Sequence, residues 1–453
     1  MSPTTTDTRE SVQIPPLNCT AEYVSWGRYP RVQHQSIYKV YWSQQVQPIL
    51  ANSAPSSCLP YGLGRSYGDS CLNEGRNLMD CSRLDRILAF DRQTGILMCE
   101  GGTSLADILN IAVPAGWLLP VTPGTKLVTV GGAIANDVHG KNHHCAGTFG
   151  LHVRRLLLCR SDRGILECGL HQNTELFRAT IGGLGLTGII LCAEIALKPI
   201  CSDRIEAQSL PFQSAAEFLA LSAESDDKFE YTVAWMDGLS SRRFRGIFSR
   251  GNHSQATERA PEYRVRPGAS SSAPAFLLNR WNAKLFNSFY FHWKSLRRSS
   301  ALLSFDAFFY PLDSIRNWNH AYGNGGFLQY QCVVPESACE AVEELLGRIA
   351  RDGSGPFLAV LKRFGSLTSP GMLSFPRPGI TLALDFPMRG VRTLRVLEWL
   401  DQAVEQNGGA LYPAKDARMS PQMFEQSFPK WREFSAYVDP VLSSSLWRRV
   451  TGN

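Results

Sequence analysis

Two glycine-rich stretches set about 60 residues apart constrain this chain more than any other feature: YGLGRSYGD at 61–69 and PGTKLVTVGGAIANDVHG at 123–140. In the first, Gly62, Gly64 and Gly68 flank Arg65 and Ser66, so consecutive backbone N–H groups and one cation can face an extended anion. A tight structural turn would explain the first loop alone. Two loops of the same character point instead to backbone closing on one long phosphate ligand. Neither ends in the Gly-Lys-Ser/Thr of a P-loop, which argues against ATP or GTP. A third stretch, GGLGLTG, spells Gly183-x-Gly185-x-x-Gly188. The dinucleotide fingerprint it matches must open a helix, whereas IILCAEI follows here and alternates as a strand. No Rossmann loop is expected.

At 453 residues, the chain exceeds one ordinary core and implies two or three domains. Hydrophobic residues make up 44% and charged residues 19%, with a net charge of +6 and no long basic tail. That balance suits an anionic small ligand and argues against nucleic acid. The 12 cysteines are scattered without a C-x-x-C pair, so they read as reduced thiols of a cytosolic protein. MSPTTTDTRESVQIPP lacks the basic and apolar regions of a signal peptide. No apolar run approaches the ~18 residues of a membrane span. The expected location is cytoplasmic or peripheral to a membrane.

Residues 1–18 read as a loose terminus, followed to about Pro199 by short β-like runs. RILAFDRQTGILMCEGG predicts a hairpin of Ile87–Asp91 and Ile96–Glu100, and Ser104 with Asp107 predicts a capped helix ending before Pro114. GIILCAEIALKP predicts a strand stopped by Pro199. From about residue 200 the pattern changes. A helix is expected within 211–225, strands at FEYTVAWMDG, GFLQYQCVVP, GPFLAVLKRFG and GITLALDFP, and a helix over 391–409 with a Gly-Gly stop. These predict an α+β sheet with helices on one side. Residues 250–274 lack apolar periodicity and read as a mobile loop. FLLNRWNAKLFNSFYFHWKSLRR, at 276–298, reads either as a core helix or as an amphipathic segment that touches a membrane surface or lipid chain.

GGAIANDVHGKNHHCAGTFG, residues 131–150, concentrates His139, His143, His144 and Cys145. His139 and His143 have helical i, i+4 spacing for a metal. Against that reading, Gly140 lies between them, the stretch has no Glu, and Lys141 would bring a positive charge to the ion. Ordinary core or surface histidines remain the other alternative.

Together GLGRSYGDS, PGTKLVTVGGAIANDVHGKNHHCAGTFGLHV and ELFRATIGGLGLTGII resemble the FAD domain of the vanillyl-alcohol-oxidase type of flavoprotein. The likeness is closer to the oxidase subunits of decaprenylphosphoryl-β-D-ribose 2'-epimerases. It continues through FYPLDSIRNWNHAYGNGGFLQYQCVVP, LAVLKRFG, LSFPRPG and LYPAKDARM, covering about residues 58–440. HGKNHH and YPAKD are its most specific pieces. The resemblance implies an α+β fold of two domains: an FAD-binding domain at 19–199, an inserted substrate domain at 200–411 with an antiparallel sheet, and a C-terminal return to the FAD domain at 412–453. By the same resemblance, Gly62, Leu63, Gly64, Arg65, Ser66, Tyr67 and Gly68 lie along the FAD diphosphate. Gly124, Thr129, Val130, Gly131, Gly132, Asn136, Asp137, Val138 and His139 reach from it to the isoalloxazine, with Ile190 and Tyr412 as further contacts. Many relatives attach FAD through a first-loop histidine; Tyr67 stands in that neighbourhood here, so non-covalent FAD is expected, with no metal.

The implied reaction is oxidation of the 2'-hydroxyl of a polyprenyl-phosphoryl ribose to a ketone, which a separate short-chain reductase would convert to the arabinose epimer. Lys415 and His139 are the candidate catalytic bases. Lys141, Trp235, Tyr310, Gln329, Gln331, Lys362 and Lys415 are the candidate substrate contacts. Gln329 and Gln331 alternate along a strand and so share a face, either toward sugar hydroxyls or toward solvent. Asp385 reads as structural. Relatives carry Asn and Cys where Thr381 and Ala383 stand, so the sugar or carrier is open; an oxidase of a soluble sugar, alditol or aldonolactone is the alternative.

Overall fold

The computed structural model describes residues 23–53, 56–240, 244–255, 280–296 and 300–452. The expected loose terminus 1–18 and most of the expected mobile loop lie outside the described residues. Residues 250–253 do not belong to such a loop: they complete the strand Gly246–His253, where Arg250 and Asn252 sit in register with Gln208 and Glu206.

The fold is α+β. Near the N-terminus, three parallel strands pair in the order Ser36–Lys39, Asn77–Asp80, Cys58–Tyr61. The middle strand is buried along its whole length, as a strand covered on both faces must be. Beside it runs an antiparallel sheet in the order Ile87–Asp91, Ile96–Glu100, Ile189–Ala196, Val153–Arg160, Gly164–Gly169. The predicted hairpin forms its edge. Ser104 caps the helix Leu105–Ala112, its Oγ accepting from the Asp107 N–H at 3.1 Å. The strand expected to run to Pro199 ends at Ala196; Leu197 turns to give its N–H to Gly95 O, and Lys198–Pro199 pairs separately with Trp117–Leu118.

The second half builds a sheet of eight described strands. Their order is Ser300–Ser304, Arg204–Phe212, Gly246–His253, Tyr231–Met236, Leu358–Phe364, Gly379–Pro387, Phe327–Val334, Ala410–Leu411. Strand alternation divides its centre into two faces. Leu328, Cys332, Leu361, Leu382 and Leu384 point one way, into a core shared with Phe218, Leu346, Val396 and Leu397 of the helices Ala215–Ser225, Cys339–Asp352 and Val391–Gln406. The last of these ends at Gln406, short of the expected 409, because Asn407 and Gly408 leave the helix, Gly408 with φ +64°. The other face carries Leu358, Val360, Lys362, Thr381, Ala383, Asp385, Gln329 and Gln331, and it turns toward the glycine loops.

After Leu411 the chain returns to the N-terminal strands. Cys58 donates its N–H to Val441 O at 2.8 Å and accepts from the Ser443 N–H at 3.0 Å. Arg449 grips Asp69 through two bonds of 2.9 and 2.8 Å and reaches Asp416 at 2.9 Å. Both carboxylates are buried, so Arg449→Leu leaves two facing anions without their cation. We expect a stability loss of about 3 kcal/mol, read as a lower urea midpoint; an unchanged midpoint would show that the tie carries no load.

Candidate functional site

The glycine loops and the polar face of the eight-stranded sheet enclose a cavity of about 460 Å³. A Cβ on Gly62 would stand 2.6 Å from Thr129 Oγ1, so the two loops approach this closely only because that side chain is absent. From Gly62 to Tyr67, only Tyr67 gives its N–H to the protein, to Ala414 O at 2.8 Å. The five consecutive amides of Gly62, Leu63, Gly64, Arg65 and Ser66 make no hydrogen bond among the described residues. The second loop works differently: Val130, Gly131 and Gly132 already donate to Thr103 O, Gly101 O and Thr129 Oγ1. It contributes closeness of backbone, and the first loop contributes the donors. Arg65 Nε, Ser70 Oγ and His139 Nδ1 are also buried without partners, on residues lining the cavity. A ligand carrying a diphosphate and ring acceptors supplies what these groups need, and FAD has both.

The far wall is the polar face of the sheet. Gln329 and Gln331 are 8% and 5% exposed, which removes the reading of a solvent face. Gln329 Nε2 donates to Asp385 Oδ1 at 2.5 Å, and Tyr322 O–H donates to Asp385 Oδ2 at 3.2 Å. Burial pushes the Asp385 carboxyl up to about 6, against the pull of Gln329, Lys415 and Tyr322. Lys415 enters from the turn Pro413–Lys415 and sets its Nζ 3.6 Å from the Tyr67 ring centroid. Burial holds this amine down to about 7, with Asp385 raising it and Lys362 lowering it.

His139 is held differently. Thr381 Oγ1 gives its hydrogen to Cys332 O at 2.9 Å and therefore accepts from Gln331 Nε2 at 3.2 Å. That orients the Gln331 amide, whose second hydrogen meets His139 Nε2 at 3.0 Å. Nε2 is then an acceptor, and the ring proton sits on Nδ1. Burial, followed by Lys362, His143 and Lys415, keeps the imidazole well below its usual value. His139 is thus a neutral donor with its free lone pair already engaged.

The other expected residues divide by placement. Tyr67, Gly124, Asn136, Val138, Ile190, Lys362 and Tyr412 line the cavity, as do Gly62–Ser66, Thr129, Gly131 and Gly132. Six of the expected contacts are not on its wall. Gly68 packs against the Asp416 carbonyl, and Val130 is turned into the core. The Asp137 carboxylate accepts from Gly150 N–H at 2.9 Å and from Ser374 Oγ at 2.5 Å, so it shapes the loop from behind. Tyr310 bonds Thr122, Trp235 meets Tyr290, and Lys141 donates to Phe308 O. Burial and then Lys362 bring the Lys141 amine to about 7, and burial brings Lys362 to about 8. The metal alternative finds no cluster among the described residues: His143 Nδ1 accepts from Gly365 N–H at 3.2 Å, while His144 Nε2 lies 2.9 Å from Phe229 O.

Sequence reasoning missed part of the wall. Gly185 and Gly188 line it, although their motif opens a strand. The signal lies in the third glycine-rich loop, which belongs to a stretch that resembles the FAD domain, although only Ile190 of that stretch is an expected contact. Trp26 and Trp318 also line the cavity, Trp26 lying 4.0 Å beneath the Arg65 guanidinium; nothing local in the sequence marks them.

Residues 44–169 match the FAD binding domain family. The chain is 37% identical to decaprenylphosphoryl-β-D-ribose oxidase of Mycolicibacterium smegmatis over 86% of its own length and 88% of that protein's. It is 32% identical to an uncharacterised protein in the mprA 5' region of Streptomyces coelicolor, over 77% of this chain and 99% of that one. Mouse L-gulonolactone oxidase is 29% identical over a shorter stretch, 30% of this chain and 31% of that enzyme. With unpaired amides and glycine loops fitted to a diphosphate, and with identity to a named oxidase along most of its length, the chain belongs to the decaprenylphosphoryl-β-D-ribose oxidase family of FAD-dependent oxidoreductases.

Proposed function

We propose that this protein oxidises the 2'-hydroxyl of a polyprenyl-phosphoryl-β-D-ribose to the 2'-ketone, with Lys415 accepting the hydroxyl proton. One observation carries the residue assignment: Lys415 is a buried amine, brought down to about 7, on the cavity wall that also carries Gln329 and Gln331. Bound FAD supplies the hydride acceptor. The chain's own residues do the rest. The unpaired amides of Gly62–Ser66 hold the cofactor's diphosphate. Gln329, fixed by Asp385, and Gln331, fixed by Thr381, present polar groups to the sugar hydroxyls. Neutral Lys415 takes the O–H proton as the carbinol hydride leaves. His139 offers Nδ1–H as a donor toward the ring system or the substrate oxygen, and its bound Nε2 favours Lys415 as the base.

With Lys415 neutral, the wall carries the cations Arg65, Arg316 and Lys362 against one carboxylate, Asp313. That excess of positive charge favours a phosphorylated substrate over a neutral alditol or lactone. Ala383 leaves the floor beside Val360 and Gln331 small, and Thr381 acts as a support for Gln331 in place of an amide. The domains follow the site: 19–199 with 412–453 hold FAD, and 200–411 hold the sugar. A ketone left at C2' calls for a hydride-donating partner, in keeping with a short-chain reductase, and a polyprenyl carrier calls for contact with a membrane.

Four measurements test these assignments. Lys415→Met holoprotein, still yellow, should lose anaerobic flavin bleaching by short-chain prenyl-phosphoryl ribose by at least about a hundredfold; bleaching at the normal rate would refute the role of Lys415. In the unmodified protein the bleaching rate should rise with pH to a plateau above about 7, because only the deprotonated amine accepts a proton. Asp385→Asn removes the charge that raises Lys415, so its inflection should move to lower pH; a shift upward would contradict the pairing. Finally, acid precipitation should leave the pellet colourless and the supernatant yellow, since Tyr67 provides no imidazole for attachment; a yellow pellet would mean a covalent bond.

A further inference from the structure

The helix Arg280–Leu296 does not line the cavity, and its exposed side is largely apolar, with Asn282 and His292 as its exposed polar residues. Its inner side is fixed by Asn287, whose Nδ2 donates to Asp237 at 3.0 Å, by Ser288, whose Oγ accepts from Arg245 at 2.9 Å, and by Phe291 beneath the Arg245 guanidinium. At about 100° per residue, the opposite side brings Leu285, Phe286, Phe289, Trp293 and Leu296 into one stripe. These are 70, 63, 68, 41 and 87% exposed. Single exposed apolar residues are ordinary, but a continuous stripe marks a surface with a partner.

The charge pattern identifies that partner. Residues 280–296 contain no Asp or Glu, and Lys284 and Lys294 are the described cations of the helix. A second copy of this chain docking the same face would oppose like charges. An anionic bilayer complements both parts, taking the rings at the acyl boundary while the cations meet lipid phosphates. The helix is also continuous with the site. It packs on the strands Arg204–Phe212 and Gly246–His253, and Tyr290 meets Trp235 with ring centroids 4.9 Å apart. Trp235 is the register neighbour of Val360, which lines the cavity.

We propose that the outer face of the helix 280–296 seats this protein on an anionic membrane surface, at the end of the sheet through which a lipid-borne sugar reaches the cavity. The proposal deepens the polyprenyl-phosphate reading and rests on it for the substrate, but the surface can be tested separately.

Flotation of holoprotein with vesicles of phosphatidylcholine plus phosphatidylglycerol, against phosphatidylcholine alone, reads the surface. Binding is expected to the mixed vesicles, weaker by about fivefold for each charge removed in Lys284→Gln and Lys294→Gln, and lost in a triple Phe286→Ser, Phe289→Ser, Trp293→Ser variant. All variants should keep the flavin spectrum and normal bleaching by a short-chain soluble substrate, which separates folding from docking. Equal binding to neutral vesicles, no flotation at all, or a dimer that the triple variant dissolves would overturn the proposal. Normal flotation with no bleaching by any prenyl-phosphoryl ribose would instead overturn the substrate reading and leave the membrane surface standing.

Discussion

The site depends on the tie by which the C-terminal segment closes on the first glycine loop. Arg449 bridges Asp69 and Asp416, and Tyr67 gives its N–H to Ala414. Lys415 sits between these two contacts. Fixing its neighbours on both sides places its amine over the Tyr67 ring and against the sheet floor. Without the tie, the five unpaired amides and the lysine would belong to segments almost 350 residues apart in sequence, with no reason to face the same cavity.

Burial then sets the chemistry. Burial lowers the Lys362 and Lys415 amines, and Lys415 falls further, to about 7, although Asp385 raises it. The same environment prevents His139 from charging. Two nitrogen bases on one wall thereby take different parts, Lys415 as proton acceptor and His139 as hydrogen-bond donor. Thr381 completes the separation through Gln331 by fixing which imidazole nitrogen carries the proton.

Much of this was legible in the sequence where local rules govern. Loop glycines, the Ser104 cap and strand alternation depend on neighbours in the chain, so the hairpin, the α+β division and the shared face of Gln329 and Gln331 could be read directly. Alternation gives a face but not what covers it; the cavity, rather than solvent, lies over the glutamines. Motif likeness also could not separate residues on the wall from those behind it. Asp137, Tyr310 and Lys141 sit beside the site in sequence or in space, yet turn their polar atoms to Gly150, Thr122 and Phe308. The amides of Val130 and Gly131 are claimed by Thr103 and Gly101, pairings that no local pattern marks, and that of Gly132 by the Thr129 cap.

The central claim is that burial makes Lys415 a neutral amine at working pH. Its most direct test is a ¹⁵Nζ titration of lysine-labelled holoprotein, with Lys415 assigned by its disappearance in Lys415→Arg. The account predicts a midpoint near 7. A midpoint near the ordinary lysine value of about 10.4 would contradict it.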